Sequence, residues 1–329
     1  VATKYVDPVW IEHGYGTRFQ GFQNLMRLRI RDILLVSSLY DLYLFEEDGR
    51  LYELLRNEYR GLHLSNAPEL TRVSTGQEAI QLAKNERRFD LILTTLHVED
   101  MTALTLAKKA REEKIGIPVV LLTYDNRELK DLMAHHDTSV FDGIFVWQGD
   151  FRLLIGIIKH LEDKFNVEHD SKLVGVQSII LIEDNVSFYS SFLPLIYTEL
   201  LKQSQRLISE GINLSHKYLR MRARPKIILC KNYEEAWSFF ERHQQDILGV
   251  ISDVDFHKDG RPNPRAGVIF ARNVRARQPD IPILLQSTNP EHARTAEAIG
   301  ASFVLKNSQR LLHELQQFMT NAFSFGDFV

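Results

Sequence analysis

The segment Ile247 to Gly260 reads ILGVISDVDFHKDG, an apolar run that specifies a buried parallel strand and then delivers Asp253 and Asp255 to its C-terminal end. An unpaired buried carboxylate costs several kcal/mol, so a strand that carries one off its end presents it in a crevice where a cation or solvent meets it. Three other apolar runs end in groups of suitable chemistry: IILIED closes on Glu183 and Asp184, IPILLQS on Ser287, and SFVLK on Lys306. Carboxylates gathered at one sheet edge repel by about 4 kcal/mol per close pair at an effective dielectric near 20, so a positive charge must sit among them. Hard oxygen donors at an open edge suit Mg2+, Lys306 adds a second positive charge, and Ser287 offers a hydroxyl to a phosphoryl oxygen. These are the parts for phosphoryl transfer onto a carboxylate, with Asp253 as nucleophile, Glu183 and Asp184 as metal ligands, and Lys306 and Ser287 stabilising charge.

The elements that must position these groups can be read along the chain. Its 329 residues, 44% of them hydrophobic, suffice for two domains with separate cores, and a net charge of −3 gives no sign of a dedicated nucleic-acid binder. Cys230 is the only cysteine, which excludes an internal disulfide and a CxxC zinc site and fits a reducing cytoplasm. No apolar run approaches membrane-helix length, and no signal pattern opens the chain.

Residues 1–30 read as an irregular lead-in with a short amphipathic helix from Arg18 to Arg29. Strands are then expected at Ile33 to Val36, Thr71 to Ser74, Leu91 to Thr95, Pro118 to Thr123 and Gly143 to Trp147. Helices between them cover Tyr40 to Tyr59 (interrupted at Gly49), Gln77 to Arg87, Ala103 to Glu113 and Arg127 to His135, and Phe151 to Phe165 closes the unit. This alternation predicts a doubly wound parallel sheet. A polar stretch, NVEHDSKLVG, reads as a linker, bounded at 168–176. Then the pattern restarts: ILLVSS matches IILIED, LILTTL matches GVISDV, IPVVLLT matches IPILLQS and GIFVW matches SFVLK. Four matched strands about 150 residues apart identify a tandem duplication. The second unit has an enlarged first helical region, Phe188 to Arg224, ending in the basic run HKYLRMRARPK, which reads as a solvated helix end.

With these motifs in place, the second unit resembles a response-regulator receiver (CheY-like) domain. The resemblance makes Asp253 the phosphoacceptor, Glu183 and Asp184 the acid pair, Ser287 the switch hydroxyl, Phe303 the switch aromatic and Lys306 the family's lysine. It also makes the backbone carbonyl of Asp255 a further metal ligand beside Asp253, and Mg2+ the cofactor. His257 and Asn307 stand where family members carry proline, and the family's bond after the lysine is commonly cis. The first unit is similar to a receiver whose pocket is dismantled: Ser37 and Ser38 replace the acid pair, Thr95 the phosphoacceptor and Trp147 the lysine, and only Thr123 is kept. The implied fold is two flavodoxin-like five-stranded sheets of strand order 2-1-3-4-5 in tandem. The units span a pseudo-receiver at 31–167 and a receiver at 177–325.

Several runs, among them YSSFLPLIYTELLK, INLSHKYLRMRARPK and the terminal FGDFV, are similar to the N-terminal segment of large bacterial proteins that continue into a phosphoenolpyruvate-synthase-like or pyruvate phosphate dikinase-like region. On that resemblance, residues 326–329 begin a continuation that carries the catalysis. The chain itself is then a regulatory module and not an enzyme. The implied partners are a sensor histidine kinase or phosphotransfer protein, the downstream domain of the same protein, and a second copy in a homodimer. Neither a membrane nor nucleic acid is indicated. Two other readings compete: a docking module without phosphorylation, and a haloacid-dehalogenase-like phosphatase starting at SDVDFHKDG. The second has its acid pair in the wrong order, because that family opens on the DxD strand and brings its acids later.

Overall fold

The computed structural model describes residues 24–45, 51–62, 64, 67–208 and 224–323. Its first half runs β1 (Asp32–Val36), α1 (Leu39–Phe45), α2 (Leu51–Gly61), β2 (Glu69–Val73), α3 (Gly76–Asn85), β3 (Leu91–Thr95), α4 (Ala103–Glu112), β4 (Val119–Thr123), α5 (Asn126–His135), β5 (Gly143–Val146) and α6 (Arg152–Val174). The second half runs β6 (Ser178–Ile182), α7 (Val186–Ile208), β7 (Lys226–Cys230), α8 (Tyr233–His243), β8 (Ile247–Asp253), β9 (Phe256–Lys258), β10 (Arg261–Asn263), α9 (Ala266–Arg277), β11 (Ile283–Ser287), α10 (His292–Ala298), β12 (Ser302–Leu305) and α11 (Leu311–Ala322).

Two five-stranded sheets result, ordered β2-β1-β3-β4-β5 and β7-β6-β8-β11-β12, every strand parallel to its neighbours. This is the flavodoxin-like order 2-1-3-4-5 twice over. Strands β3, β4, β5 and β6 are buried along their whole length, as apolar runs covered by helices on both faces must be. Side-chain caps fix where helices begin: Thr75 accepts from the N–H of Glu78, Thr102 from Thr105 and Asn232 from Glu235. In each sheet the order reverses beside the first strand, opening a crevice at the strands' C-terminal ends.

The polar stretch read as a linker is the last part of α6, which runs unbroken to Val174 and stops at Gly175. Asn166, Asp170 and Ser171 of that stretch are buried, because they serve as partners for other buried groups, while Lys172 is exposed. Asp170 accepts from the Met26 N–H (3.1 Å) and meets the Lys226 ammonium (3.0 Å), Asn166 accepts from the Leu28 N–H (3.0 Å), and the Ser171 hydroxyl donates to the Val176 carbonyl (2.9 Å). Those same contacts overturn the helix expected up to Arg29, of which residues 18–23 lie outside the described residues. Residues 24–30 are non-helical, and the N–H groups of Met26, Leu28 and Ile30 pair with α6 side chains instead of with a helical turn.

The end of the basic run is likewise not solvated. Arg224 and Lys226 are buried, with the guanidinium holding Asp163 through two contacts of 2.8 and 2.9 Å. Asp163 also accepts from the Ile227 N–H and the Tyr197 hydroxyl, both at 2.9 Å. Burial alone would raise its pKa, but the Arg224 and Lys226 charges hold it below the usual carboxylate range. Residues 216–223 of that run, Gly49, residues 1–17 and residues 326–329 lie outside the described residues.

The two sheets share one hydrophobic core. Ile157, Ile158 and Leu161 of α6 pack with Tyr189, Phe192, Ile196 and Leu200 of α7, and this cluster reaches Leu35 and Leu93 on one sheet and Ile179 and Ile251 on the other. The lengthened α7 also covers the free edge of the first sheet. The Tyr189 hydroxyl donates to the Ile144 carbonyl, and the Val146 N–H donates to the Ser190 hydroxyl at 3.0 Å, so the edge strand's backbone groups are satisfied within the chain. No described helix is long and apolar enough to cross a membrane.

Candidate functional site

The second sheet's C-terminal edge brings the sequence-selected groups to one place. Backbone bonds lock the strand ends level: Glu183 N–H to the Cys230 carbonyl (3.1 Å), Val254 N–H to Gln286 (3.0 Å) and Lys306 N–H to Ser287 (2.8 Å). The first turn of α9 presses on the same spot. The Gly267 N–H bonds the Val254 carbonyl at 3.0 Å, and a β-carbon on Gly267 would overlap the Asp253 carbonyl, so only glycine lets the helix come this close.

Glu183 and Asp253 are buried, Asp184 is half-buried, and one carboxylate oxygen from each lies within 4.8 Å of the others. The Lys306 ammonium bridges two of them, 2.6 Å from Glu183 Oε2 and 2.5 Å from Asp253 Oδ2. Asp253 Oδ1 accepts from the N–H groups of Val254 (2.7 Å) and Asp255 (3.4 Å). Burial pushes the Glu183 carboxyl up to about 8, with Lys306 opposing and Asp253 adding to the rise. Asp253 is also raised by burial, against the pull of Lys306. Gln286, whose amide nitrogen donates to Glu183 (3.2 Å), leaves its buried Oε1 without a hydrogen-bond partner. A cluster of three carboxyl groups around one ammonium, with an orphaned buried oxygen beside it, fits a small hard cation.

The remaining predicted groups sit differently. Ser287 ends β11 as expected, but its hydroxyl is engaged by the Asn289 N–H (3.1 Å) and by His292 Nδ1 (2.9 Å). Phe303 is half-buried on β12 against the second domain's core. The Asp255 side chain is exposed. There is no cis peptide among the described residues, so Lys306 reaches the pocket through a trans bond to Asn307.

Four groups escaped the sequence reading. Phe188 lays its ring under the Lys306 ammonium, 4.3 Å from the centroid, Gln286 is placed by the register of β11, and His292 by the start of α10. The fourth is a hairpin, β9–β10, inserted directly after Asp253 and Asp255 and carrying His257, whose Nδ1 lies 3.0 Å from Asp184 Oδ2. Its signal was in the sequence: Asp259 and Gly260 both take positive φ (53° and 70°), the pair of conformations for which Asp-Gly is the favoured two-residue turn.

The first sheet's edge is a different pocket. Ser37, Thr95 and Thr123 are buried, and the Thr95 hydroxyl donates to the His97 carbonyl at 3.0 Å. Trp147 is half-buried against the shared core, and Asp41 accepts a 2.8 Å bond from the Tyr124 hydroxyl. Among the described residues only Glu183, Asp184 and Asp253 form a cluster able to hold a metal ion. Asp100 caps α3 by accepting from the N–H groups of Gly76 and Gln77. His135 is exposed and bonded locally to Asp131, and Cys230 is a buried free thiol that burial holds in its neutral form.

No family model and no curated protein matches the chain. Among solved structures it is similar to the signal receiver domain of a putative Luxo repressor protein from Vibrio parahaemolyticus, at 18% identity over 43% of this chain and 96% of that one, with a TM-score of 0.32. A putative two-component system response regulator/GGDEF domain protein is 14% identical over 89% of this chain and 99% of its own, with a TM-score of 0.37. The receiver domain of a sensor histidine kinase from Pseudomonas aeruginosa, with a magnesium ion coordinated in its active site cleft, is 16% identical over 40% of this chain and 97% of its own, with a TM-score of 0.30. At such identities and scores the overlaps carry no functional argument, and the fold follows from the strand order described above.

Proposed function

We propose that the second domain is a phosphorylation-controlled switch in which Asp253 accepts a phosphoryl group and the first domain is a non-phosphorylatable packing partner. The observation that carries this reading is Lys306, buried and bridging Asp253 to Glu183 beside Asp184. An Asp253 oxygen attacks the donor's phosphorus, the bond to the donor's leaving group breaks, and the transferred group stays as an acyl phosphate. The Lys306 ammonium then lies beside the new phosphoryl oxygens, and the N–H groups of Val254 and Asp255 keep the other carboxylate oxygen in place. Glu183, Asp184 and Asp253, with the Asp255 backbone carbonyl, would hold Mg2+, which supplies charge neutralisation for the transferring group. The Ser287 hydroxyl exchanges His292 for a phosphoryl oxygen, and Phe303 follows it inward, altering the surface made by α10, β12 and α11. A ligand or modification biases such a two-state element only by binding its two states differently, and the phosphoryl oxygens do so through Ser287.

The donor is a sensor histidine kinase or phosphotransfer protein, and the readout is a contact with a neighbouring domain or a second copy. Phosphatase turnover is disfavoured because the acid pair follows β6, ahead of the strand β8 that carries Asp253, the reverse of the order that chemistry uses. A purely docking role is favoured for the first domain, whose pocket has neither acid pair nor lysine. Incubation with acetyl phosphate and Mg2+ tests the proposal by intact mass: one gain of about 80 Da, absent without metal and in Asp253→Asn, is expected. An unmodified chain under conditions that modify a control receiver contradicts it.

A further inference from the structure

The inserted hairpin has no part in the scheme above, yet its placement is over-determined. Phe256 is buried in the second domain's core, and His257 pairs with Asn232 on one side and Pro262 on the other. The Asp259 N–H donates to Glu234 at 2.8 Å, and the Lys258 ammonium sits over the Tyr233 ring at 4.9 Å. The start of α8 therefore holds the hairpin against the rim of the acidic cluster through backbone, charge and aromatic contacts at once. The outcome of all these contacts is one imidazole on one carboxylate. His257 Nδ1 lies 3.0 Å from Asp184 Oδ2, and since a carboxylate only accepts, the imidazole donates.

Asp184 needs such a partner. Glu183 is fixed by Lys306, Gln286 and the Asn185 N–H, and Asp253 by Lys306 and two backbone N–H groups. Asp184 is the half-exposed member of the cluster, and its side chain has His257 as the only hydrogen-bond or ion-pair partner among the described residues. One oxygen held by His257 leaves the other free and the carboxylate plane set, which is how a group outside the ligand set raises the affinity of a metal site.

We infer that the β9–β10 hairpin is a built wall of the cation site and that His257 is a positioning residue, fixing Asp184 for a divalent cation. The inference rests on the metal-assisted reading under Proposed function. Its test is binding of Mn2+ alone at neutral pH, read by electron paramagnetic resonance, on the full chain. His257→Ala is expected to bind about 10–100-fold more weakly than the parent. His257→Asn, whose amide N–H replaces Nδ1–H, is expected to recover most of that loss. Equal affinity in His257→Ala and the parent overturns the inference, as does an equal loss in both variants, which marks general damage to the hairpin. A parent chain that binds no Mn2+ overturns the metal reading as well, and that failure is distinct because it appears before any substitution.

Discussion

His160 lies fully buried on α6 against the Phe145 ring, with centroids 6.1 Å apart, and its Nδ1 has no hydrogen-bond partner. Burial lowers its pKa to about 3, helped by Lys164 and Lys231, so it is folded in as a neutral ring. The unfolded chain binds this proton near pH 6.5 and the folded chain only near 3, so stability contributed by neutral His160 is complete above about pH 6.5 and lost as pH falls toward 3. Between pH 6.5 and 5 the loss from this group is about 2 kcal/mol, and His160→Phe should flatten that limb of the denaturant-midpoint curve. An unchanged acid limb would show that the ring is solvated when folded. At the residue scale the acids, the serine and the lysine were legible because each ends an apolar run that could only be a strand. His292, Gln286 and Phe188 were not, since what brings them to the pocket is the register between strands and the turn of a helix.

Among elements, the join between α6 and β7 is where reading by polarity failed. Asn166, Asp170, Arg224 and Lys226 have the composition of solvated segments, and composition does not reveal that acids on one element will meet bases on another about 60 residues away. The duplication itself was legible, strand by strand, because buried parallel strands are continuous apolar runs; the hairpin was overlooked because its strands are three residues each and mostly polar. Asp163 is the hub of the join, facing Arg224 and Lys226 and taking bonds from Tyr197 and Ile227. Asp163→Ala leaves two buried cations short of their counter-charge and is expected to cost about 3–5 kcal/mol, read as a lower denaturant midpoint. A change below about 1 kcal/mol would mean that water reaches the join.

On the scale of the whole molecule, two flavodoxin-like sheets share one apolar core. Helix α7 contributes to the second sheet's cover, to the shared core and to the edge of the first sheet, so neither half buries its apolar surface alone. Calorimetry of the full chain should therefore give one cooperative transition, and the fragment 177–323 should lose it; two separate transitions would mean independent domains. Around that shared core the two sheet edges differ, with a charged pocket on one sheet and a pocket of hydroxyls, Asp41 and Trp147 on the other. The most direct test locates the transferred group: the chain is treated with acetyl phosphate and Mg2+, reduced with borohydride to convert an aspartyl phosphate to homoserine, and sequenced by tandem mass spectrometry. Homoserine at position 253 and at no position in 31–167, lost when metal is withheld, is the predicted result. Homoserine in the first domain, or at Asp184 or Asp255 with Asp253 intact, would contradict the account.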